Sequence, residues 1–599
     1  MAPYDIIFAG GGTAACIIAG RLAAADPTLK ILILEAGKHT KDVKTHQQPG
    51  RYFANLVGGG DSFTYHDTVP SKALGNRPYL LPSAKAMGGG SSVNFMIYTR
   101  ASPSDYDDWR DLGNPGWGAE DLTPLSNKAE SYEDTAAANH GTSGPIKVST
   151  VEHTGIRIGT QFLDVATARD PERGTTDDTN SLTVDAINKY GRWNRYMSPQ
   201  TGHRSDVAHH YIYNQLDQNK NLEVRAHCRV KRVIIEGDKA VGVEYISHAP
   251  GDPNADVVVS AFGSLIVVAG GAFGSPAILE RSGIGAPALL KSLDIPEVVA
   301  LPGVGENYND HNRLLNAYHT SDDEVTMDKI FRGLDSDIKP FEDQFLAQGK
   351  GMMAHNGVDA GIKIRPNAKD LESLGPAFAD RWANFFANNP DKPVMWMGPL
   401  AGYCGENPNV GQGNFYAVGY YTQYPSSTGR THIVSSDPYT PLAIEPGFLN
   451  TDDDVAVLRW SYKWTREISR RMDGYRGEFA PDHPQFAEDS PAVCVRTVGP
   501  VALDAPDIVY SAADDEAIDT FHRAFVGTTW HSLGTCAMKP RDQNGVVDSR
   551  LNVYGVKNLK VADMSIVPTN VSANTYNTAL IVGEKAALIF AEELGIKGV

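Results

Sequence analysis

Residues 6–15 read IIFAGGGTAA. An apolar run ending in three glycines is either the core of an export signal or a strand entering a phosphate-binding turn, and its neighbours separate the two. An export signal needs a basic stretch ahead of the run, whereas Ala2, Pro3, Tyr4 and acidic Asp5 stand there. The strand reading needs a helix and a second strand to follow. Thr13–Ala25 reads as that helix, and Ile31–Leu34 as that strand, ending at Glu35. Gly10, Gly12 and Ala15 then fit GxGxxA at a strand-to-helix turn, with Thr13 and Ala14 in the opening turn of the helix. Glycines there permit a tight turn and close approach of a diphosphate, which the free N–H groups of the helix start can bind. Glu35, with Ala36 after it, closes the second strand, where a carboxylate accepts hydrogen bonds from an adenosine ribose. The pattern alone does not choose between NAD and FAD, and a glycine turn made only for packing would share it.

Composition narrows the function classes. A chain of 599 residues exceeds the size at which single cores stop growing, about 250–300 residues, so two or more domains are expected. With 41% hydrophobic and 21% charged residues and no long apolar run, it does not read as a membrane-spanning protein. The formal charge of −18, from 54 basic and 72 acidic residues, argues against a nucleic-acid partner, which requires a basic face. Cys16, Cys228, Cys404, Cys494 and Cys536 are odd in number, far apart and free of CxxC pairs, so neither a disulfide framework nor a metal site is expected. An intracellular setting, cytoplasmic or peroxisomal, follows as an expectation, although the ending GIKGV carries no SKL-type peroxisomal address.

Short β-branched runs alternate with helical stretches, the pattern of an α/β fold. Glycine-rich spots fall at Gly10–Gly12, Gly58–Gly60, Gly88–Gly90 and Gly270–Gly274. A strand-rich block runs from Leu222 to Gly271, Gly429–Phe448 reads as strands of a different, antiparallel sheet, and Asp453–Arg471 as an amphipathic helix. Leu559–Leu594 begins with a strand and ends with a helix. Nucleotide-sheet strands at both ends and in the middle predict a discontinuous, Rossmann-like cofactor domain, from residues 1–155, 215–312 and 530–599. Residues 156–214 and 313–529 would form a second domain with an antiparallel sheet and flanking helices, α+β overall.

Longer motifs make the reading specific. Ala84–Tyr98, AKAMGGGSSVNFMIY, resembles the first signature of the glucose–methanol–choline (GMC) oxidoreductases, and Gly271–Gly285, GAFGSPAILERSGIG, the second. Leu301–His311, Thr528–Met538, Gly545–Pro568 and Ser572–Ala587 extend the resemblance over nearly the whole chain. Within the family the chain is most similar to the fungal short-chain alcohol (methanol) oxidases, through YTRASPSDYDDW, NPDKPVMW, SYKWTREISRRMD, TWHSLGTC and NTYNTAL. Met87 departs from the β-branched aliphatic residue or leucine usual in the first signature, a size-conserving change.

The resemblance implies FAD and an alcohol substrate, with oxygen as acceptor and hydrogen peroxide as product. His531 matches the family's base and Asn574 its partner. Alcohol oxidation removes a hydroxyl proton while a hydride leaves carbon for flavin N5, so a group titrating near neutrality must adjoin the hydroxyl, and an amide can orient it without adding charge. A buried structural histidine and a helix N-cap are the plain alternatives for these two residues. By resemblance, Gly88, Gly89, Ser91 and Asn94 lie along the flavin and its diphosphate, Val230 meets the adenine through its backbone, and Asp563 lies near the ribityl chain. Trp530 and Thr575 join them on the cofactor, beside His531 and Asn574. Val93 stands where some relatives carry a flavin-tethering histidine, so the FAD is expected to be non-covalent. Phe95, Ile97 and Trp530 are candidates for a tight substrate wall that excludes long alcohols by sterics, and the other tryptophans, Trp109 among them, read as core. Close relatives form large homo-oligomers, but this chain's shorter C-terminus leaves its assembly open.

Overall fold

The computed structural model describes residues 4–57, 60–133, 139–150, 154–184, 186–249, 256–405 and 410–599; Ala2, Pro3, Gly58 and Gly59 lie outside the described residues. Strand β1 (Tyr4–Ala9) runs into helix α1 (Thr13–Ala25), and β2 (Ile31–Leu34) returns parallel to β1 with Ile7 opposite Leu32. Ile6, Ile7 and Phe8 are fully buried, because both faces of the sheet are covered and an unbroken apolar run is the strand such burial requires. The sheet order is Leu222–Arg225, β2, β1, β3 (Val258–Val268), Lys239–Ser247 and Cys228–Glu236, with Leu559–Val561 also pairing β3. Pairing is parallel from Leu222–Arg225 through β3 to Leu559–Val561, and antiparallel through the last two strands.

Close backbone approach sets the helix layer. The terminal helix α2 (Tyr576–Leu594) packs on α1 at Gly583, where a Cβ would stand 2.8 Å from Ile17. Gly20 on α1 likewise abuts Tyr211, where a Cβ would stand 2.4 Å from the carbonyl oxygen, so the turn Ala208–Tyr213, expected in the inserted domain, packs on the first body. Helix α1 is buried from Ala14 to Ala23 apart from Arg21, as expected for a helix covered on most sides.

A second sheet of seven strands is antiparallel, in the order Tyr475–Glu478, Asn312–Thr320, Phe415–Thr422, Met395–Leu400, Ala360–Ile364 and Gly191–Arg192, with Gly527–Thr528 on the side of Asn312–Arg313. The strands expected in Gly429–Phe448 form a different, antiparallel sheet of their own, as expected, apart from this one. Arg430–His432 pairs only with Ala443–Glu445 as a separate ribbon, because SSDPYTPL between them closes a local hairpin. The helix expected over Asp453–Arg471 spans Asp452–Ser469 and packs on Phe415–Thr422, its Arg466 held by Glu478 at 2.8 Å. No helix among the described residues is long and apolar enough to cross a membrane.

The chain passes between the two sheets twice along one line. Asn309 bridges Leu533 and Asn312 pairs with Thr528, so residues 308–312 and 528–533 run antiparallel, side by side.

Gly10 is the position in the opening turn least able to take a side chain. Its φ is +119°, and a Cβ would fall 2.2 Å from the Ala269 carbonyl oxygen. Gly10→Ala is therefore expected to destabilise the protein by about 1–3 kcal/mol, read as a lower thermal midpoint. An unchanged midpoint would contradict this account of the turn.

Candidate active site

A cavity of about 560 Å³ extends from the β1–α1 turn to the antiparallel sheet, within the range of ligand sites. Its wall includes Gly10, Gly12, Thr13, Ala14, Ala15, Glu35, Ala36, Gly89, Ser91, Asn94, Phe95, Ile97, Val230, Trp530, His531, Asp563, Asn574 and Thr575. Every residue singled out from the sequence therefore lines it except Gly88. Gly88 instead shapes the turn behind the wall, with φ +88° and a carbonyl that accepts from Thr13 Oγ1 at 3.2 Å and Ser91 Oγ at 2.7 Å.

One end suits a dinucleotide. Helix α1 has no side-chain cap, so the N–H groups of its first turn are open to an anion, and Gly90, Gly271 and Gly274 face the cavity with nothing within 4 Å of a would-be Cβ. Arg281 on the same wall has a buried Nε with no partner. Glu35 accepts from the Gly11 amide through Oε2 and from the Gly37 amide through Oε1, each at 2.8 Å, and still has lone pairs for ribose hydroxyls. Burial raises its pKa, against those two amides. Asp563 accepts from the Gly271 amide at 2.8 Å and from Ser275 Oγ at 2.5 Å, which holds the start of the Gly271–Arg281 helix in the wall. The residues present fit a dinucleotide.

At the other end the two chain crossings meet. Asp310, 2% exposed, accepts at Oδ1 from the backbone amides of His311 (2.8 Å) and His531 (3.1 Å). Its Oδ2 takes the hydroxyls of Tyr308 (3.0 Å), Ser532 (3.2 Å) and Thr528. The two histidines then touch, Nδ1 to Nδ1, at 2.7 Å.

That contact sets their tautomers. The Val571 carbonyl can only accept, so His311 Nε2, 2.9 Å away, carries a proton and donates it. Burial pushes the His311 pKa down to about 4, so the ring is neutral and its Nδ1 bare. His531 Nδ1–H must donate to that nitrogen, which leaves His531 Nε2 with a free lone pair. Burial, then His311 and Arg313, hold His531 well below the ordinary histidine range, so it too is neutral. Its Nε2 faces Asn574 Nδ2 at 3.4 Å.

Asn574 is fixed by its oxygen. Oδ1 accepts from Thr99 Oγ1 at 3.0 Å and Tyr421 OH at 3.2 Å, which turns the amide nitrogen toward His531. Helix α2 starts at Tyr576 with Thr575 as its N-cap, so the Asn574 side chain serves the site and does not cap the helix. Trp530 has φ +61°, an unusual conformation for a bulky residue and the kind of strain that gathers at functional sites. Phe95 sits between Tyr52 and Trp530, with ring centroids 4.2 and 5.2 Å away.

The sequence reading did not assign Asp310, His311, Thr99 or Tyr421 to the site. Trp396, expected as core, lines the cavity with its ring stacked 5.1 Å from Tyr421. The run Asn309–Asp310–His311 stood inside one of the quoted motifs, but only the fold brings it against His531.

Family models for the GMC oxidoreductases match residues 4–313 and 425–583. The chain belongs to the GMC oxidoreductase family. It is 37% identical to an alcohol oxidase of Candida boidinii and 37% identical to an alcohol oxidase of Pichia angusta, in each case over 99% of this chain and 96% of the relative. An FAD-dependent oxidoreductase from Chaetomium thermophilum has the same fold, with TM-score 0.80 at 24% identity, covering 99% of this chain and 100% of that one.

His311→Phe keeps a flat ring but removes the acceptor that orients His531. For a family oxidoreductase using this base, kcat/KM is expected to fall by about 10- to 100-fold, mostly in kcat. Unchanged kcat would rule out the histidine pair as the orienting element.

Proposed function

We propose that this GMC oxidoreductase is an FAD-dependent alcohol oxidase that converts small primary alcohols, of the methanol and ethanol kind, to aldehydes. The observation that carries the reading is the bare Nε2 of neutral His531 in the cavity wall beside the Asn574 amide. The naming of relatives 37% identical over almost the whole chain as alcohol oxidases supports it.

When bound, FAD supplies the hydride acceptor and passes the electrons to oxygen, giving hydrogen peroxide. The residues to hold it are the α1 turn from Gly10 to Ala15 for the diphosphate, Glu35 and Ala36 for the ribose and Val230 for the adenine. Gly89, Ser91, Asn94, Trp530, Asp563, Asn574 and Thr575 line the remainder, and the absence of a histidine at Val93 supports non-covalent binding. A diphosphate there would meet unpaired N–H groups and the positive end of a helix dipole.

The protein's own work is proton transfer and orientation. Asn574 Nδ2 donates to the alcohol oxygen, and the alcohol O–H donates to His531 Nε2, which takes the proton as the carbon gives up its hydride. His311 accepts from His531 Nδ1 throughout, so the base keeps one orientation. Phe95, Ile97 and Trp530 close the wall around the carbinol carbon.

Because the base works neutral with a lowered pKa, kcat/KM is expected to stay level as pH falls through the ordinary histidine value of 6.5, and to drop only below it. An acid limb above pH 7 would contradict a buried neutral base. Phe95→Ser should raise kcat/KM for diols and longer alcohols relative to ethanol by at least about tenfold. The deciding assay follows oxygen uptake and peroxide over methanol, ethanol, longer n-alcohols, aryl alcohols, glycerol and choline. Turnover of small primary alcohols with one peroxide per aldehyde is expected; reduction of an artificial acceptor without oxygen uptake would make the protein a dehydrogenase.

A further inference from the structure

Two of the stretches that carry the resemblance, YTRASPSDYDDW and NPDKPVMW, meet in the fold at a carboxylate that the chemistry above does not use. Asp105 is fully buried in the first turn of the helix Pro103–Asp111. Its Oδ2 accepts from the Ser572 amide and from Ser572 Oγ, each at 2.9 Å, and from the Ser102 amide at 3.1 Å. Its Oδ1 accepts from Lys392 Nζ at 2.8 Å and from Tyr424 OH at 2.7 Å. Lys392, itself fully buried, stands just before the strand Met395–Leu400 and also reaches Asp108 at 2.9 Å, while Tyr424 follows the strand Phe415–Thr422. The first stretch also supplies Thr99, whose Oγ1 accepts from the Asn574 amide at 2.7 Å, so it grips the segment from Ser572 to Asn574 at both ends.

The Ser572 N–H and the Val571 carbonyl belong to one trans peptide group, so they point in opposite directions. Asp105 takes the N–H, and the carbonyl on the other side accepts from His311 Nε2 at 2.9 Å. From His311 Nδ1 the line continues to His531 Nδ1, 2.7 Å away. Three hydrogen bonds therefore run from a buried negative charge to the ring of the base, and every donor in the line points toward Asp105. Hydrogen bonds aligned in this way polarise one another, so an anion at the accepting end strengthens each acceptor along the line. We propose that Asp105 is a positioning residue for the base: through the Val571–Ser572 peptide it holds the acceptor of His311 and favours the protonated form of His531 as the alcohol proton arrives. The inference rests on the alcohol-oxidising reading and adds a residue to it. Burial lowers the His311 pKa and outweighs the charge of Asp105, which raises it, so that charge reaches the pair. His531 is also faced by Arg313, by the Tyr421 ring and by Asp310 at its amide. Around Asp105 stand Lys392, Lys363, Asp108, Tyr106 and Tyr424, and the Lys392 cation offsets part of its charge.

The test follows flavin reduction by ethanol without oxygen on the flavin-loaded enzyme, which gives a limiting rate and an apparent Kd for the alcohol. Asp105→Asn keeps the shape of the side chain and removes its charge. It is expected to lower the limiting rate by about 10- to 100-fold while the apparent Kd changes by less than about threefold. In the His311→Phe background, where the line is already cut, adding Asp105→Asn should cost less than about threefold more. Equal losses in the two backgrounds, or a limiting rate unchanged by Asp105→Asn, overturn the proposal. Lys392→Gln removes the countercharge, so protonation of His531 becomes easier and the acid limb of kcat/KM should move to higher pH by about half a unit or more. A merely structural loss would lower activity and leave the limb in place. Should Asp105→Asn not fold, Lys392→Gln decides: a limb moved up supports the proposal, and one that stays or moves down overturns it. If no alcohol bleaches the wild-type flavin, the alcohol-oxidising reading has failed and this inference with it, whereas additive losses in an active enzyme remove only this inference.

Discussion

The site depends on the carboxylate of Asp310. Buried among two backbone amides and three hydroxyls, it ties together two chain segments more than 200 positions apart and so places His311 against His531. Burial raises its pKa, while these donors favour the charged form. Such a hub is costly to break, because losing the acceptor leaves several buried donors without partners at once. From it follow the tautomer of His311, the bare Nε2 of His531 and the direction in which that nitrogen faces.

The two sheets supply what this hub needs. The parallel sheet and its helices form the open N–H turn at Gly10–Ala15, while the antiparallel sheet supplies Tyr421, Trp396 and Arg313 from one face. Asn574 joins the two, sitting just before a helix of the first body yet held through its oxygen by Tyr421 of the second. The cavity thus has open N–H groups at one end and the neutral histidine pair at the other, with a wall between them suited to a flavin dinucleotide. Burial of both histidines keeps them neutral, so the unprotonated state of His531 is a product of exclusion from water as much as of residue choice.

Much of this was legible in the chain before folding. The apolar runs at 6–9 and 31–34, the glycine turn and the terminal helix are local signals, and each appears with its expected boundaries to within a few residues. His531 and Asn574 were singled out through resemblance, since nothing in local pattern separates one buried histidine from the chain's others. Asp310, His311, Tyr421 and Arg313 were missed for a physical reason. Each acts through a partner brought near only by the crossing of the two sheets, and a strand residue shows in sequence which face it shares, not what that face meets.

The central claim is that neutral His531 takes a proton from an alcohol while its carbon is oxidised. The most direct measurement adds a small primary alcohol to the flavin-loaded protein without oxygen and follows flavin absorbance and aldehyde together. Bleaching with one aldehyde formed per flavin, slowed by about 10²- to 10⁴-fold in His531→Ala, is the predicted result. A flavin that stays oxidised with every alcohol, or one that bleaches equally fast without His531, would contradict the account.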